Sequence, residues 1–149
     1  MTRRVPELEL VLAETGRAVK IPRKVAMPEA AYAVARMHKL HRATQEKLVA
    51  IFVDSQNQLI GYVEITRGSL NTTRTTPREI FRPAIQLGAH GVVLMHNHPS
   101  GSKTPSADDI AFTEAVRRAG EIMGIEVYDH LIVTPTDYVS MRELGMFGS

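Results

Sequence analysis

The spacing of apolar residues along this chain predicts a mixture of helices and strands. Apolar side chains recur every three or four residues, the period of an amphipathic helix, in two segments, and helix start and stop signals mark a third. These segments span about residues 28–41, 76–87 and 106–123. Short apolar runs typical of strands cover residues 48–53, 59–66, 91–95, 125–133 and 138–141. Because helices alternate with strands, and the first two strands form a hairpin, the pattern predicts an α/β fold with a mixed sheet flanked by helices.

The second helix carries start and stop signals and one conflicting residue. Thr76 can cap its first turn, Pro77 suits its first position, and Glu79 can complete a capping box. Gly88 is typical of the position just past a helix C-terminus. Pro83 lacks a backbone N–H and crowds the preceding turn, so it should kink the helix.

The third helix is expected to bury one apolar face. The residues at the right spacing for that face are Ile110, Val116 (with Ala115), Ala119 and Ile122/Met123. Gly124 should end the helix.

The length of 149 residues indicates one domain, which we assign to residues 26–149. Residues 1–25 are interpreted as an N-terminal extension. Apolar residues alternate from residue 8 to 12 and recur at Val19 and Ile21, which predicts a β-hairpin packed on the domain.

The amino-acid composition limits which partners, metal ligands and cellular locations can be expected. A net charge of +2 gives no basis for expecting nucleic acid binding. The chain has no Cys, so disulfides and thiolate metal sites are excluded and a transition metal would need His and carboxylate ligands. The sequence shows no signal-peptide core and no apolar run of membrane-span length. We therefore expect a cytoplasmic location and no membrane partner.

Two histidines close the apolar run of residues 92–95. His96 and His98 are two positions apart, so in a strand their imidazoles point to the same face. Eleven residues after His98, Asp109 lies at the start of the third helix, with Asp108 as the competing carboxylate. Two His ligands and one carboxylate, with a fourth position open, are a common arrangement in a hydrolytic zinc centre.

Longer strings around these residues resemble a known family. The pattern His-x-His, ten residues, Asp looks like the JAMM signature of MPN/JAB-domain metallopeptidases. The strings His-Asn-His-Pro-Ser-Gly from His96 and Thr-Pro-Ser-Ala-Asp-Asp from Thr104 resemble the RadC branch of that superfamily. The resemblance runs from roughly Pro22 to Glu143. It also includes the strings Glu46–Asp54, Gly68–Asn71, Pro77–Ile80 and Asp129–Ile132. It implies the MPN/JAB fold, a three-layer arrangement like that of cytidine deaminases.

The resemblance also implies a ligand set and a metal. A Zn²⁺ ion would be bound by His96, His98 and Asp109, because the JAMM spacing favours Asp109 over Asp108. The ligands also suit iron or manganese. The alternative interpretation of the histidines is two polar residues in a solvated turn.

Two further residues receive catalytic roles from the resemblance. JAMM enzymes use an upstream Glu as general base, and Glu46 precedes the first core strand, where the family places it. Glu64 on the second strand remains an alternative base. Ser106 matches the serine assigned to oxyanion stabilisation, although Ser106 and Asp109 also form a variant capping box that a helix start could require for stability alone.

The sequence supports two functional hypotheses of different classes. The leading one is a zinc-dependent peptidase or isopeptidase that uses activated water on an amide bond of a peptide or protein substrate. The alternative is a non-catalytic accessory protein of DNA repair or of mobile elements, acting through a partner or through DNA. RadC-like proteins carry a DNA-repair label, and longer forms have an N-terminal helix-hairpin-helix segment. This sequence has no room for that segment and no aromatic-basic pattern, which weakens the DNA-binding hypothesis.

Four other histidines have less specific contexts. His38 and His41 lie three apart on one helix, where two solvated histidines are favoured over a metal pair. Asp129 and His130 could support the metal ligands, but a buried structural histidine is favoured. His90 lies at the far end of the central strand and should not reach the site.

Overall fold

A computed structural model describes residues 27–68 and 75–147 of the chain. Its helices are α1 (Pro28–Met37), α2 (Pro77–Leu87) and α3 (Ala107–Met123), with a short 3-10 helix at Leu40–Arg42. Its strands are β1 (Lys47–Val53), β2 (Leu59–Arg67), β3 (Gly91–Asn97), β4 (Glu126–Val133) and β5 (Tyr138–Ser140). The predicted N-terminal hairpin and most of the loop after β2 lie outside the described residues.

The strands form one sheet in the order β2-β1-β3-β4-β5. β3 and β4 are parallel, and the three other neighbouring pairs are antiparallel. This confirms the predicted α/β fold with a mixed sheet. The helix α3 makes the crossover between the two parallel strands, as such a connection requires.

Helices cover both faces of the sheet. On one face, α1 packs its buried Ala31, Val34 and Ala35 against alternate residues of β1 and β3. On the other, α2 and α3 pack against the intervening strand residues. Every residue of β3 is buried, which explains why its sequence is a continuous apolar run rather than an alternating one. We call these surfaces the α1 face and the α2/α3 face.

The helix α2 agrees with its stop signal and differs at its start. Gly88 adopts the left-handed conformation that ends the helix, with φ of 67°. Thr76 occupies the N-cap position, but its side chain makes no capping hydrogen bond, so the predicted capping box with Glu79 is wrong. Pro83 lies inside one continuous helix that extends to Leu87.

The buried face of α3 differs from the predicted one. Ile110 and Ile122 are 40% and 87% exposed, so the prediction that they are buried was wrong. Val116 is buried as expected, together with three residues that hydropathy does not favour for a core, Asp109, Thr113 and Gly120. A Cβ on Gly120 would lie 2.4 Å from the Ile125 carbonyl oxygen, so glycine permits the close packing of α3 on the start of β4.

Two element boundaries also differ. The helix α1 ends at Met37, four residues before the predicted end, and Lys39 follows in the left-handed region with φ of 59°. The strand β3 continues two residues past Met95 to Asn97. Within residues 27–68 and 75–147, no helix combines the length and apolar character that crossing a bilayer requires.

Candidate metal centre

The two motif histidines lie at the C-terminal end of β3. His96 follows Val92 and Leu94 on the α2/α3 face, and it is 2% exposed. His98 comes directly after the strand, and its backbone N–H donates to the Val133 carbonyl oxygen at 2.8 Å. That bond extends the pairing with β4 past the end of β3, so both imidazoles are held by the sheet.

Asp109 reaches both histidines from the first turn of α3. Its Oδ1 lies 3.0 Å from His96 Nδ1, and its Oδ2 lies 3.1 Å from His98 Nε2. One ligand atom from each of the three side chains lies within 4.8 Å of the others. Asp109 is fully buried, whereas Asp108 is exposed. The fold therefore brings Asp109, and not Asp108, to the histidines.

A capping box fixes the start of α3. The Ser106 side chain accepts a hydrogen bond from the Asp109 backbone N–H at 3.0 Å. In return, the Ser106 backbone N–H donates to Asp109 Oδ2 at 2.8 Å. The same carboxylate thus caps the helix and faces the histidines, so the two interpretations of the Ser-x-x-Asp sequence are compatible.

The negative charge of the centre lies on Asp109. Burial raises the pKa of the Asp109 carboxyl, but hydrogen bonds from His96, His98 and Ser106 outweigh burial and hold that pKa well below its usual range. The hydrogen bond to Asp109 raises the pKa of His98, against the opposing effect of burial. Asp109 is therefore an anion in a buried site.

Of the two candidate general bases, Glu46 lies near the histidines. Its Oε2 is 3.9 Å from His96 Nε2, and its side chain is 33% exposed. His96 Nε2 is buried and has no hydrogen-bond partner among the described residues. Glu64 is flanked by Val63 and Ile65, which pack on the α2/α3 face, so alternation places Glu64 on the opposite face. Glu64 also pairs with Arg67 Nε at 2.6 Å.

Asn97 is a residue of this region that the sequence interpretation did not single out. Its Oδ1 accepts a hydrogen bond from the Lys47 backbone N–H at 2.6 Å. Its Nδ2 donates to the carbonyl oxygens of Ala43 at 3.3 Å and Gln45 at 3.0 Å. These bonds hold the backbone on both sides of Glu46. The signal for this role was a polar residue between two candidate ligands at a strand end.

Thr113 and His130 lie behind Asp109. Thr113 Oγ1 donates to the Asp109 carbonyl oxygen at 2.6 Å and lies 2.6 Å from His130 Nδ1. His130 is fully buried, and its ring centroid is 6.4 Å from that of His96. Burial lowers the pKa of His130 to about 3, so this imidazole is neutral at pH 7. His130 is buried as favoured, but its Nε2 has no partner among the described residues.

Asp129, His38 and His41 are not part of the His96, His98 and Asp109 group. Asp129 accepts hydrogen bonds from the Ser140 side chain and the Arg142 backbone, which anchor β5 and the turn after it. His38 stacks on Tyr62 with ring centroids 3.6 Å apart. His41 is only 9% exposed, so the prediction that it is solvated was wrong. Its position between the end of α1 and β1 buries it.

The fold and the buried His-His-Asp group define an α/β domain with a candidate metal centre at the end of its sheet. The sequence profile of the RadC-like JAB domain matches residues 25–146, and the chain belongs to that family. This confirms the resemblance.

Three relatives are bacterial proteins named UPF0758. The protein of Enterococcus faecalis is 44% identical over 105 residues, which are 70% of this chain and 45% of the relative. That of Carboxydothermus hydrogenoformans is 40% identical over 110 residues, 74% of this chain and 49% of the relative. That of Latilactobacillus sakei is 44% identical over 102 residues, 68% and 46% of the two chains. The matched part of this chain spans about half the length of these relatives.

Proposed function

We propose that this domain is a zinc-dependent hydrolase of the JAMM type that cleaves an amide bond in a peptide or protein. The observation that carries the proposal is the convergence of His96, His98 and Asp109 within 4.8 Å at the end of the sheet. Membership of the JAB family supports the same chemistry.

The residues fit a zinc ion on two independent grounds. Two imidazoles and one ionised carboxylate are a ligand set that zinc prefers, and they leave a fourth position for substrate or solvent. His96 Nε2 is buried without a partner among the described residues, and a buried polar atom of that kind calls for one. When bound, zinc lowers the pKa of a coordinated water and polarises a carbonyl group.

Glu46 and Ser106 would supply proton transfer and oxyanion stabilisation. The Glu46 carboxylate is half-buried beside His96, so it can take a proton from the attacking water and return it to the leaving amine. The Ser106 oxygen accepts the capping hydrogen bond through one lone pair, which leaves its hydroxyl hydrogen free to donate to a developing oxyanion.

Elemental analysis of protein purified without chelator tests the metal centre. We expect about one zinc per chain in the wild type and little in His98→Ala or Asp109→Asn. His90→Ala is the matched control, because His90 is exposed at the opposite end of β3 and should leave the zinc content unchanged. Wild-type protein that holds no metal after reconstitution with zinc would contradict the proposal.

A panel of peptide and isopeptide substrates tests the reaction. Zinc-loaded wild type should cleave at least one member, and Glu46→Gln should lower kcat by about 10²–10⁴-fold while retaining zinc. Glu64→Gln should retain activity, since Glu64 lies on the other face. Equal losses of activity in Glu46→Gln and Glu64→Gln would contradict the role of Glu46 as the general base.

A further inference from the structure

A groove beside the candidate metal centre is lined by two arginines and, among the described residues, by no carboxylate. We call it the basic groove, and its volume is about 520 Å³. Its lining residues are Arg36, His41, Arg42, Ala43, Thr44, Pro99 and Pro135. None of these is acidic, so an anion that enters the groove meets no carboxylate in its lining.

Residues that line the basic groove directly adjoin residues of the candidate metal centre. Pro99 directly follows His98, and Thr44 lies two positions before Glu46. The carbonyl oxygen of Ala43 accepts a hydrogen bond from Asn97 Nδ2 at 3.3 Å, which ties the groove to the strand that carries the histidines. A polypeptide with its scissile amide at the centre can therefore extend a neighbouring residue toward the groove.

Within residues 27–68 and 75–147, the arginines of the groove have no acidic partner. Arg36 donates to the Tyr32 hydroxyl at 3.3 Å, and neither Arg36 nor Arg42 forms an ion pair with any described carboxylate. By contrast, Arg67 and Arg118, elsewhere on the surface, each pair with a glutamate. As far as the described residues show, Arg42 keeps its donors and Arg36 keeps those not used on Tyr32 available for a ligand.

His41 is a second, independent sign of a ligand site. It lines the groove, it is nine-tenths buried, and its Nδ1 has no hydrogen-bond partner in the described part of the chain. Burial lowers the pKa of His41, and the charges of Arg36 and Arg42 lower it further. At pH 7 it is a neutral imidazole, which can donate one hydrogen bond and accept another.

We propose that the basic groove binds a carboxylate of the polypeptide substrate next to the scissile amide. The carboxylate belongs to an Asp or Glu side chain or to the chain's C-terminus. A planar guanidinium matches a carboxylate with two parallel hydrogen bonds, and two guanidiniums beside a neutral imidazole form a donor-rich pocket for it. This subsite rests on the proposed function, because amide hydrolysis at the adjoining centre is what makes a peptide the expected ligand.

Titration of the protein with short peptides, followed by NMR, tests the subsite without turnover. The probes are acetyl-Gly-Glu-Gly-amide, acetyl-Gly-Gly-Gly with a free carboxyl terminus, and the neutral acetyl-Gly-Gln-Gly-amide, with Glu46→Gln protein to prevent cleavage. At least one carboxylate peptide should shift the backbone amides of Ala43 and Thr44 and the side-chain Nε–H signals of the groove arginines. The tighter of the two carboxylate peptides identifies the source of the carboxylate.

Matched charge variants make the test specific. Arg36→Gln and Arg42→Gln should each weaken binding of the carboxylate peptide by about three- to tenfold, and salt should weaken it further. Arg82→Gln, an exposed change of equal charge on α2, should leave the affinity unchanged. Affinities for both carboxylate peptides that are no higher than the affinity for the Gln peptide, or an equal loss in Arg82→Gln, would overturn the proposal.

The remaining outcomes separate the subsite from the hydrolase. Groove shifts caused by a short oligothymidylate, with none from the carboxylate peptides, would overturn the subsite in favour of a phosphate ligand. Cleavage of amides with no preference for an acidic residue or a free C-terminus beside the scissile bond would overturn the subsite alone. Carboxylate binding by protein that takes up no zinc would support the groove as a carboxylate site and contradict the proposed hydrolase function.

Discussion

Asn97 shows how one side chain can set the geometry of a site without touching a ligand. Its amide bonds the backbone at Ala43, Gln45 and Lys47, and these residues surround Glu46. Because Asn97 directly follows His96 on β3, the same strand end holds one proposed metal ligand and the segment that carries the proposed base.

Replacing Asn97 should loosen that segment. Asn97→Ala leaves one partly buried N–H and two carbonyl oxygens without their partner, so we expect a loss of about 2 kcal/mol in the free energy of unfolding. Hydrogen exchange at the Lys47 amide should accelerate, while zinc content stays at the wild-type level. Chemical denaturation and exchange measured by NMR check both effects.

Two further variants serve as controls for the Asn97→Ala prediction. Asn97→Asp keeps the acceptor for Lys47 but places a carboxylate against two carbonyl oxygens, so it should destabilise at least as much at pH 7 and recover on protonation. Gln56→Ala, in the exposed turn after β1, should change stability by less than about 0.5 kcal/mol. An unchanged Lys47 exchange rate in Asn97→Ala would contradict the clamping role.

His130 should make the fold sensitive to acid. Its pKa is about 3 in the folded chain, below the ordinary 6.5 expected when unfolded, so protonation favours unfolding. Its contribution to stability is complete above about pH 6.5 and is lost as the pH falls toward 3. In this window the slope of unfolding free energy with pH should be smaller in His130→Asn than in wild type, by up to about 1.4 kcal/mol per pH unit. Parallel curves from denaturant titrations would refute the prediction.

At the scale of the elements, the helices α2 and α3 begin differently. The helix α3 has a complete capping box between Ser106 and Asp109, whereas Thr76 makes no side-chain bond at the start of α2. The sequence predicted a capping box at each helix start, formed by Ser106 with Asp109 and by Thr76 with Glu79. The difference arises because burial fixes Asp109 in the position that the cap requires.

Substitutions at the two N-caps should therefore differ in cost. Ser106→Ala should destabilise by about 1 kcal/mol, and Thr76→Ala should cost less than about 0.5 kcal/mol, as thermal unfolding would show. Ser106→Asp keeps a capping acceptor but has no hydroxyl donor. It should retain most of the stability and still lower kcat, which separates the capping role from the proposed oxyanion role. Similar costs at Ser106 and Thr76 would contradict this account.

Predictions at this scale succeeded where local sequence determines the structure and failed where tertiary contacts determine it. The apolar runs of β1 and β3 and the end of α2 at Gly88 were predictable, because they depend on the local spacing of apolar residues and on the backbone preference of glycine. The prediction of which face of α3 is buried was wrong because Asp109 and Thr113 are buried by their hydrogen bonds to distant residues. Hydropathy assigns such polar residues to the surface, so only the tertiary structure could identify them.

At the scale of the whole molecule, the site combines segments far apart in the chain. His96 and His98 were predictable from strand alternation, and their distance from Asp109 follows from the return of α3 over the α2/α3 face. Glu46 lies 50 residues before His96 in the sequence and approaches it because β1 pairs with β3. Spacing alone could not indicate that approach, and only the family resemblance suggested Glu46. The basic groove had no sequence signal, since its residues come from three separate segments.

Because the proposed ligands join β3 to α3, metal binding should stabilise the entire domain. An ion that binds the folded state alone adds about 2.7 kcal/mol when its concentration is 100 times Kd. For a chain of this size that corresponds to a rise of roughly 5–10 °C in Tm. Thermal scans of chelator-treated protein with and without added zinc should show this shift in the wild type and in the His90→Ala control, and should lose it in His98→Ala. A shift of equal size in His98→Ala would mean that zinc stabilises the domain from another site, and the His96, His98 and Asp109 cluster would then lose its proposed role.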